Sequence, residues 1–258
     1  MIRFRELPAA WVAAAAGLYV FFFVASAPAT LLSSSLARVS GGKAVLSACE
    51  GTLWEGAGLL TLVAPDNTGV ALRTQWELRP LAFLAGRLGF NVASAGTAAF
   101  IRGGLEVGPR SLALRGLSAS LPAAWASLAN IPLPLTHLDG NLRIDAPALM
   151  LARSAVNGRA VVTWRNASSD QTGALGSYRA TITGDGRQAD IALATEAEEG
   201  LAAEGHGTWD VATGATKFDG TLKSTTSAGA VEPLLAMVGP EQGGAHPFTF
   251  TGKFLVGQ

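Results

Sequence analysis

The chain has 258 residues, and its 19 Lys and Arg balance its 19 Asp and Glu, so the formal net charge is zero. A neutral chain has no general attraction to nucleic acid, and we expect no nucleic-acid partner. Hydrophobic residues make up 49% of the chain and charged residues 15%, a composition that excludes intrinsic disorder.

The most apolar part of the chain is at its N-terminus. After Arg3, Arg5 and Glu6, no charged residue occurs before Arg38. A bilayer core needs about 20 apolar residues in helical form, and this stretch is long enough. The sequence therefore predicts a cytoplasmic tail over residues 1–8, a single transmembrane helix over residues 9–31, and a periplasmic domain over residues 33–258.

Two processing signals compete with that interpretation. Ala25-Ser26-Ala27 has the small-x-small form of a signal-peptide cleavage site, but Pro28 would then be the first mature residue, which signal peptidase tolerates poorly. The apolar run is also longer than a signal-peptide core. Residues 46–49 have the lettering of a lipoprotein box, but they follow Arg38 and Lys43 instead of the apolar run. We expect an uncleaved anchor, and a buried, inert thiol at Cys49.

The rest of the chain is dominated by alternation of apolar and polar residues, which is typical of half-buried strands. Turn signals such as Asp185-Gly186 and Thr213-Gly214 separate the runs. The fold class predicted is mainly β: an N-terminal transmembrane helix followed by an antiparallel meander with one buried and one solvated face. The alternating runs cover residues 70–79, 111–121, 138–145, 158–164, 177–183, 189–195, 205–210, 217–223 and 248–256.

Three short segments interrupt the β pattern and favour capping helices, over residues 80–86, 122–129 and 231–238. Proline at or near the start of each segment suits the first turn of a helix. An extended connector at residues 131–135 divides the domain into two halves, approximately 40–130 and 135–258. Pro65-Asp66-Asn67 marks a further turn.

Glycines stand shortly before apolar strand residues at several places, including Gly140, Gly158, Gly207 and Gly220. The simplest interpretation is that each glycine opens a strand after a turn. Trp54, Trp76 and Trp164 are then expected to stand on strands and to be mostly buried on the inner face.

Catalytic and metal-binding patterns are weak. The histidines at 137, 206 and 246 are far apart and have no ligand partners at metal spacing, and His206 between two glycines favours an exposed strand position. Ser40 and Lys43 match S-x-x-K, but the companion motifs of penicillin-interacting enzymes are missing. We expect no enzyme activity, no cofactor and no metal. A periplasmic serine hydrolase would require Ser40 and Lys43 to line a cleft.

Two further patterns have structural explanations. Gly184-Asp185-Gly186-Arg187 imitates a dinucleotide fingerprint, but an alternating strand follows it, so a hairpin turn is the better interpretation. Glu196, Glu198, Glu199 and Glu204 form an acidic cluster that we expect at a solvated sheet edge, where it would discourage strand addition.

Three blocks occur in order along the chain: Gly51, Thr52, Leu53, Trp54 and Gly56, then Trp76, Leu78 and Pro80, then Leu175, Gly176 and Tyr178. Behind a single N-terminal apolar segment, this order resembles the type II secretion system protein N family of Gram-negative bacteria. The resemblance extends from the anchor to about residue 183. Asp139, Gly140, Asn141 and Leu142, and the run from Gly158 to Trp164, also fit the strand openings of that family.

The resemblance implies an accessory inner-membrane component of the machine that exports folded proteins from the periplasm to the exterior. Its implied partners are other type II secretion components of the inner membrane, with the secretin as a further candidate, and the inner membrane itself. The family has no catalytic motif to transfer. Residues 217–223 and 248–256, as late strands, are candidate contact edges. AsmA-like proteins, implicated in lipid handling, are an alternative resemblance, which an open apolar groove would favour over a filled interior.

Overall fold

A computed structural model describes residues 15, 17–19, 22–23, 25–63, 69–79, 86–96, 99–124, 138–197, 200–225 and 231–253. These residues form one antiparallel sheet of 13 strands in which every strand pairs with the next along the chain. The mainly β prediction is confirmed, and so is the meander order. Antiparallel neighbours need only short connections, which is why consecutive strands of a chain pair so readily.

The strands vary in length, and the longest ones lie in the middle of the sheet. They are β1 (Ala44–Gly51), β2 (Glu55–Val63), β3 (Gly69–Arg79), β4 (Leu88–Ala95), β5 (Phe100–Val107), β6 (Ser111–Pro122), β7 (Leu138–Ala152), β8 (Ala155–Ser169), β9 (Gly173–Gly186), β10 (Gln188–Ala197), β11 (Leu201–Asp210), β12 (Ala215–Ser224) and β13 (His246–Lys253).

The sheet has one apolar face, called the inner face here, and one polar face, called the outer face. In β3 the alternate residues Leu72, Thr74, Trp76 and Leu78 are buried and the residues between them are exposed. The strand register carries this alternation from neighbour to neighbour, because side chains opposite each other project to the same side of a sheet. The fold is thus determined by a period-2 pattern that stays in phase across the sheet.

Two helices cover parts of the inner face. Helix α1 (Thr30–Val39) places Leu32 and Leu36 against Leu46 and Trp76. Helix α2 (Glu232–Val238) confirms the helix predicted over 231–238, and its Leu235 is buried in a cluster with Leu175, Tyr178 and Leu201 of β9 and β11. A third cluster, around Val156, Ala189 and Val211, fills the inner face near the β9–β10 turn. Helix α1 was not predicted.

The predicted anchor falls mostly outside the described residues. The described residues between 15 and 25 are all helical, and none of them is buried. The side chains of Leu18, Tyr19, Phe22 and Phe23 are 58%, 72%, 62% and 70% exposed. Residues 26–29 are not helical, so the prediction of one helix reaching residue 31 is wrong at its end. Within the described part of the chain, no helix combines the length and apolar character needed to cross a bilayer.

The strands that the sequence analysis did not predict are β1, β2, β4 and β5. Each contains glycines or runs of apolar residues that obscure the alternation, as in Gly56-Ala57-Gly58-Leu59-Leu60 of β2. Pro122 is the last residue of β6 instead of the first of a helix, and a single tight turn at Ala123 and Ala124 follows it. The predicted turn at 65–67, most of the predicted helices at 80–86 and 122–129, and the connector at 131–135 lie outside the described residues.

The prediction that several glycines open strands is wrong. Gly140, Gly158, Gly207 and Gly220 lie within strands instead of opening them. Neighbouring groups occupy the space that a side chain would need there. The Phe218 ring would lie 2.7 Å from a Cβ at Gly207, and the Phe248 ring would lie 2.7 Å from one at Gly220. The missing side chains let aromatic rings lie flat on the inner face of β11 and β12.

The edge interpretations are partly corrected. Glu196 lies on β10 and Glu204 on β11, and both strands are paired on either side, so these residues are not at a sheet edge. Glu198 and Glu199 lie outside the described residues. Residues 217–223 belong to β12, which is likewise paired with two neighbours. Strand β13, which covers the described part of 248–256, ends the sheet and pairs with β12. Strands β6 and β7 pair directly, so one sheet runs through both predicted halves.

Candidate functional site

The first two blocks of the family resemblance meet at one corner of the sheet. Residues 52–54 form the connection between β1 and β2, where the Thr52 N–H donates to the Glu55 carbonyl oxygen over 2.8 Å. The Leu78 N–H of the second block donates to the Trp54 carbonyl oxygen over 2.5 Å. Trp54 therefore lies in this connection, half-buried, and the prediction that it stands on a strand is wrong.

The same corner holds the segment that follows the N-terminal apolar run. The Leu53 N–H donates to the Ala27 carbonyl oxygen over 2.7 Å, and Pro28 forms a bridge with Thr52. On the inner side, Trp76 is 6% exposed and its ring lies against Gly56, where a Cβ would meet it at 2.5 Å. The motif glycine thus makes room for the motif tryptophan. These two blocks fasten the sheet to the chain that precedes it. Pro80 lies outside the described residues.

The third block lies in the other part of the sheet, on β9. Leu175 is 2% exposed, and the Tyr178 hydroxyl lies 2.9 Å from the Leu175 carbonyl oxygen and 2.7 Å from that of Leu201. Burial raises the pKa of Tyr178 to about 12, so the hydroxyl keeps its proton and donates. Gly176 pairs with Ala167 at a β-bulge. Trp164 is half-buried with its ring centroid 6.1 Å from that of Tyr178. This block packs β9 against β11 and α2.

A trough crosses the outer face of β1–β5. It consists of two cavities of about 930 and 730 Å³ that share Glu50, Ala57, Gln75 and Ala93. We call this surface the β1–β5 trough. Its floor consists of small side chains and two larger apolar ones: Ala48, Ala57, Leu59, Ala93, Ala95 and Phe100.

Irregular strand geometry accompanies the trough. Strand β1 has a β-bulge between Ser47 and Glu50, where Ala48 has a φ of 48°. Strand β5 has a second irregularity between Arg102 and Gly104. Bulges bend a strand and increase its twist. Two bent strands with alanines between them give this face a depression where long side chains would otherwise fill the surface.

The charges of the trough are divided between its two ends. Glu55 and Glu77 are directly opposite each other on β2 and β3 at one end, and Glu50 lies between the ends, where the two cavities meet. Arg73 and Arg102 line the other end, with the Arg102 guanidinium 6.0 Å from the centre of the Phe100 ring. Within the described part of the chain, Glu50, Glu55, Glu77 and Arg73 make no ion pair.

The residues considered as catalytic or metal-binding candidates are distributed over several parts of the fold. The Ser40 hydroxyl accepts from the Ala44 N–H over 3.1 Å at the end of α1, and Lys43 is exposed beside it. His206 is exposed on β11, as predicted, whereas the half-buried His246 has its Nδ1 2.7 Å from the Gly239 carbonyl oxygen. His137 lies outside the described residues. Among the described residues, no three metal-ligating side chains come together. Gly186 and Arg187 form the predicted hairpin turn.

Cys49 is half-buried instead of fully buried. It follows the bulge of β1 and packs against the cluster of Ala29, Leu46 and Trp76. Burial raises the pKa of its thiol, which therefore stays protonated near neutral pH. Since the thiolate is the reactive form, this environment agrees with an unreactive thiol.

Sequence reasoning missed the trough, although part of the signal was available. Arg73, Gln75 and Glu77 are the polar positions of a predicted strand, so their shared face could be inferred. Ala93 and Phe100 lie on strands that were not predicted, and the bulges that shape the surface have no sequence signature. The opposition of Glu55 and Glu77 depends on a register that only the folded sheet defines.

Comparison with known proteins identifies one family. The model of the family described as type II secretion system (T2SS), protein N, matches residues 43–249, which includes all strands from β1 to β12 and the first half of β13. No curated protein and no solved structure matches the chain.

Proposed function

Because the chain belongs to the type II secretion system protein N family, we propose that it is an accessory component of that system, anchored in the inner membrane with its sheet in the periplasm. Family membership makes it a secretion component that acts with other components of the system. The accessory role, the topology and contact as its mode of action are the proposal. The family match over residues 43–249 is the observation that carries it.

The topology has support from the N-terminal residues. Four large apolar side chains, Leu18, Tyr19, Phe22 and Phe23, are more than half exposed on a helical stretch. Exposed apolar surface of this kind is unfavourable in water and favourable in a bilayer. The hydrogen bond from the Leu53 N–H to the Ala27 carbonyl oxygen would hold the sheet close to the membrane surface.

Contact as the mode of action has support from the distribution of polar groups. The family blocks are occupied in packing and in backbone hydrogen bonds, as Trp76 and Tyr178 illustrate. Glu50, Glu55, Glu77 and Arg73 of the β1–β5 trough, in contrast, make no ion pair within the described part of the chain. Surface groups of this kind are available to another protein.

Deletion of the gene tests the secretion role. We expect folded export substrates to accumulate in the periplasm, while their passage across the inner membrane stays normal. Because the role is accessory, the defect should be partial, and expression of the full chain should restore secretion. Normal secretion in the deletion strain would contradict the proposal. If normal secretion came with a permeability defect of the outer membrane, the AsmA-like lipid-handling alternative would replace it.

Fusion and N-terminal sequencing test the topology. Alkaline phosphatase fused after residue 60 should be active, because the enzyme folds only in the periplasm. The purified protein should begin at or near Met1. A mature N-terminus at Pro28 would show that the apolar segment is a cleaved signal peptide, and would contradict the anchor without affecting the secretion role.

A further inference from the structure

We propose that the β1–β5 trough binds an amphipathic α-helix of a partner protein, with basic side chains of that helix at the Glu55–Glu77 end and acidic ones at the Arg73–Arg102 end. The inference rests on the proposed function, because it assumes that the protein acts by contact, and it adds the surface and the chemistry of the partner.

The position of the trough on a sheet face selects a helix over an extended segment. The backbone groups of β2, β3 and β4 are hydrogen-bonded to their neighbouring strands, so the face offers a ligand few backbone donors or acceptors. An extended peptide lying on alanine, leucine and phenylalanine would lose water from its own N–H and C=O groups without replacement. A helix pairs those groups internally.

The floor of the trough suits the apolar stripe of such a helix. Alanines at 57, 93 and 95 allow a close approach, whereas Leu59 and Phe100 supply larger apolar surface at one end. The Arg102 guanidinium over the Phe100 ring holds a cation at the border of this apolar patch. A volume of about 930 Å³ in the larger cavity leaves room for several side chains.

The spacing of the charges defines the partner further. Glu77 and Arg73 lie on the same strand four residues apart, a separation of about 13 Å along a strand. In an α-helix lying along the strands, the same distance corresponds to about nine residues at 1.5 Å each. The partner helix should therefore carry Lys or Arg near one end of its apolar stripe and Asp or Glu about nine residues away.

The facing carboxylates make the acidic end receptive to a cation. Glu55 and Glu77 are Cα partners, and like charges directly opposite each other repel across a sheet. Asn91 is the one described group that donates to either carboxylate, to Glu77 over 3.4 Å. A Lys or Arg side chain placed between the two carboxylates would remove their repulsion on binding, and this gain is specific to a basic partner.

A designed helical peptide serves as the probe. Three fluorescein-labelled, stapled peptides of about 18 residues share one apolar stripe. The first, the mixed-charge peptide, carries two Lys at one end and two Glu about nine residues away. The second, the all-Lys peptide, has Lys at all four of these positions, and the third, the all-Glu peptide, has Glu at all four. With the full chain in detergent, fluorescence anisotropy should show the mixed-charge peptide binding at least about tenfold more tightly than either other peptide, and less tightly at high salt.

Charge reversal in the protein should exchange the preference. The double variant Glu55→Lys, Glu77→Lys should weaken the mixed-charge peptide about tenfold or more and strengthen the all-Glu peptide. That gain requires a folded trough, so it excludes misfolding as the cause. Glu204→Lys is the matched control, because Glu204 is an exposed glutamate on the outer face of β11, and it should leave all affinities unchanged.

Three results would overturn the inference: equal binding of all three peptides, equal loss in the Glu204→Lys control, or a self-association of the full chain in sedimentation that the double variant abolishes. The last result would assign the trough to a second copy of this chain.

The secretion assay separates this inference from the proposed function. If the deletion strain secretes normally, the proposed function fails. If the deletion reduces secretion but the double variant Glu55→Lys, Glu77→Lys restores it as well as the wild-type chain, the function stands and the trough inference fails. We expect the double variant to restore secretion poorly, and Glu204→Lys to restore it fully.

Discussion

The two ends of the sheet are alike on the inner face and different on the outer face. At β1–β5 the inner face is covered by α1 and packed around Trp76; at β8–β13 it is covered by α2 and packed around Tyr178. On the outer face, β1–β5 present a trough with unpaired charges. On β9–β12 several charges form ion pairs: Arg179 with Glu196, Arg187 with Asp210, and Lys217 with Asp219.

This difference separates the requirements of folding from those of contact. Both ends need a covered apolar face, and the chain provides a helix for each. Ion pairs at the C-terminal end satisfy several of the outer charges within the fold, at little gain in stability because they are exposed. Charges left unpaired at the N-terminal end, around a floor of alanines, point to a surface that another molecule completes.

The largest expected effect is the loss of the inner-face tryptophan at the N-terminal end. Trp76→Ala should lower the free energy of unfolding by about 3–5 kcal/mol, because it opens a cavity between α1 and the glycines of β2. Thermal unfolding of the full chain measures it. Trp54→Ala and Trp164→Ala, at half-buried positions, should cost less. An equal loss in all three variants would contradict the special position of Trp76.

A smaller effect is expected at the other end from Tyr178→Phe. The substitution keeps the ring and removes the hydroxyl, whose single proton is shared between the carbonyl oxygens of Leu175 and Leu201, and this loss should cost about 1–2 kcal/mol. The raised pKa of Tyr178, about 12, also has a pH signature. Its contribution to stability is present below the unfolded-state pKa near 10 and is lost as the pH rises toward 12. The phenylalanine variant should lose less stability over this interval.

Two glutamate-to-glutamine changes on the outer face should have opposite signs. Glu196→Gln breaks an ion pair with Arg179 and should lower stability by roughly 0.2–1 kcal/mol. Glu77→Gln removes a like charge opposite Glu55 and should raise stability by a few tenths of a kcal/mol, about the size of one cross-strand charge pair. Denaturant unfolding at low salt measures both changes. Changes of the same sign would remove the contrast between the two outer faces.

The smallest effect concerns acid. Hydrogen bonds from Arg143 and from Ser118 hold the pKa of Asp145 on β7 below its usual range. In the same way, hydrogen bonds from Thr213 and Thr249 lower the pKa values of the Asp210 and Asp219 carboxyls, respectively. A lowered pKa contributes stability that is present above the unfolded value near 3.9 and is lost as the pH falls below it. Asp145→Asn should therefore flatten the decline in stability below about pH 4. If the variant lost as much stability below pH 4 as the wild-type chain, the hydrogen bonds to Asp145 would not be the cause of its lowered pKa.

Most of the fold could be predicted from particular residues. The alternation in residues 70–79 defined β3 nearly to its ends, and the hairpin within residues 184–187 and the helix at 231–238 followed from turn and proline chemistry. Helix α1 was missed because its apolar residues merge with the preceding apolar run. Strand β2 was missed because its glycines and consecutive leucines hide the alternation.

The candidate site could be predicted only in part. The family blocks were recognisable in the sequence, and two of them lie together at the β1–β2 connection. Their packing role became clear only from the structure. Trp76 is buried because its ring lies against Gly56 and Gly58, where no side chain occupies the space. The sequence suggested late strands as contact surfaces, whereas β12 is paired on both sides and the trough lies at the opposite end.

What the sequence by itself determined is local and periodic: the charge-free N-terminal stretch, the two-residue period of the strands, the turns between them and the family to which the chain belongs. Only the tertiary structure decided which residues face each other. Register placed Glu55 opposite Glu77 and a phenylalanine ring over Gly207, and bulges in β1 and β5 shaped the trough. The physical reason is that side-chain periodicity assigns a residue to a face of a sheet, whereas its neighbours on that face come from other strands.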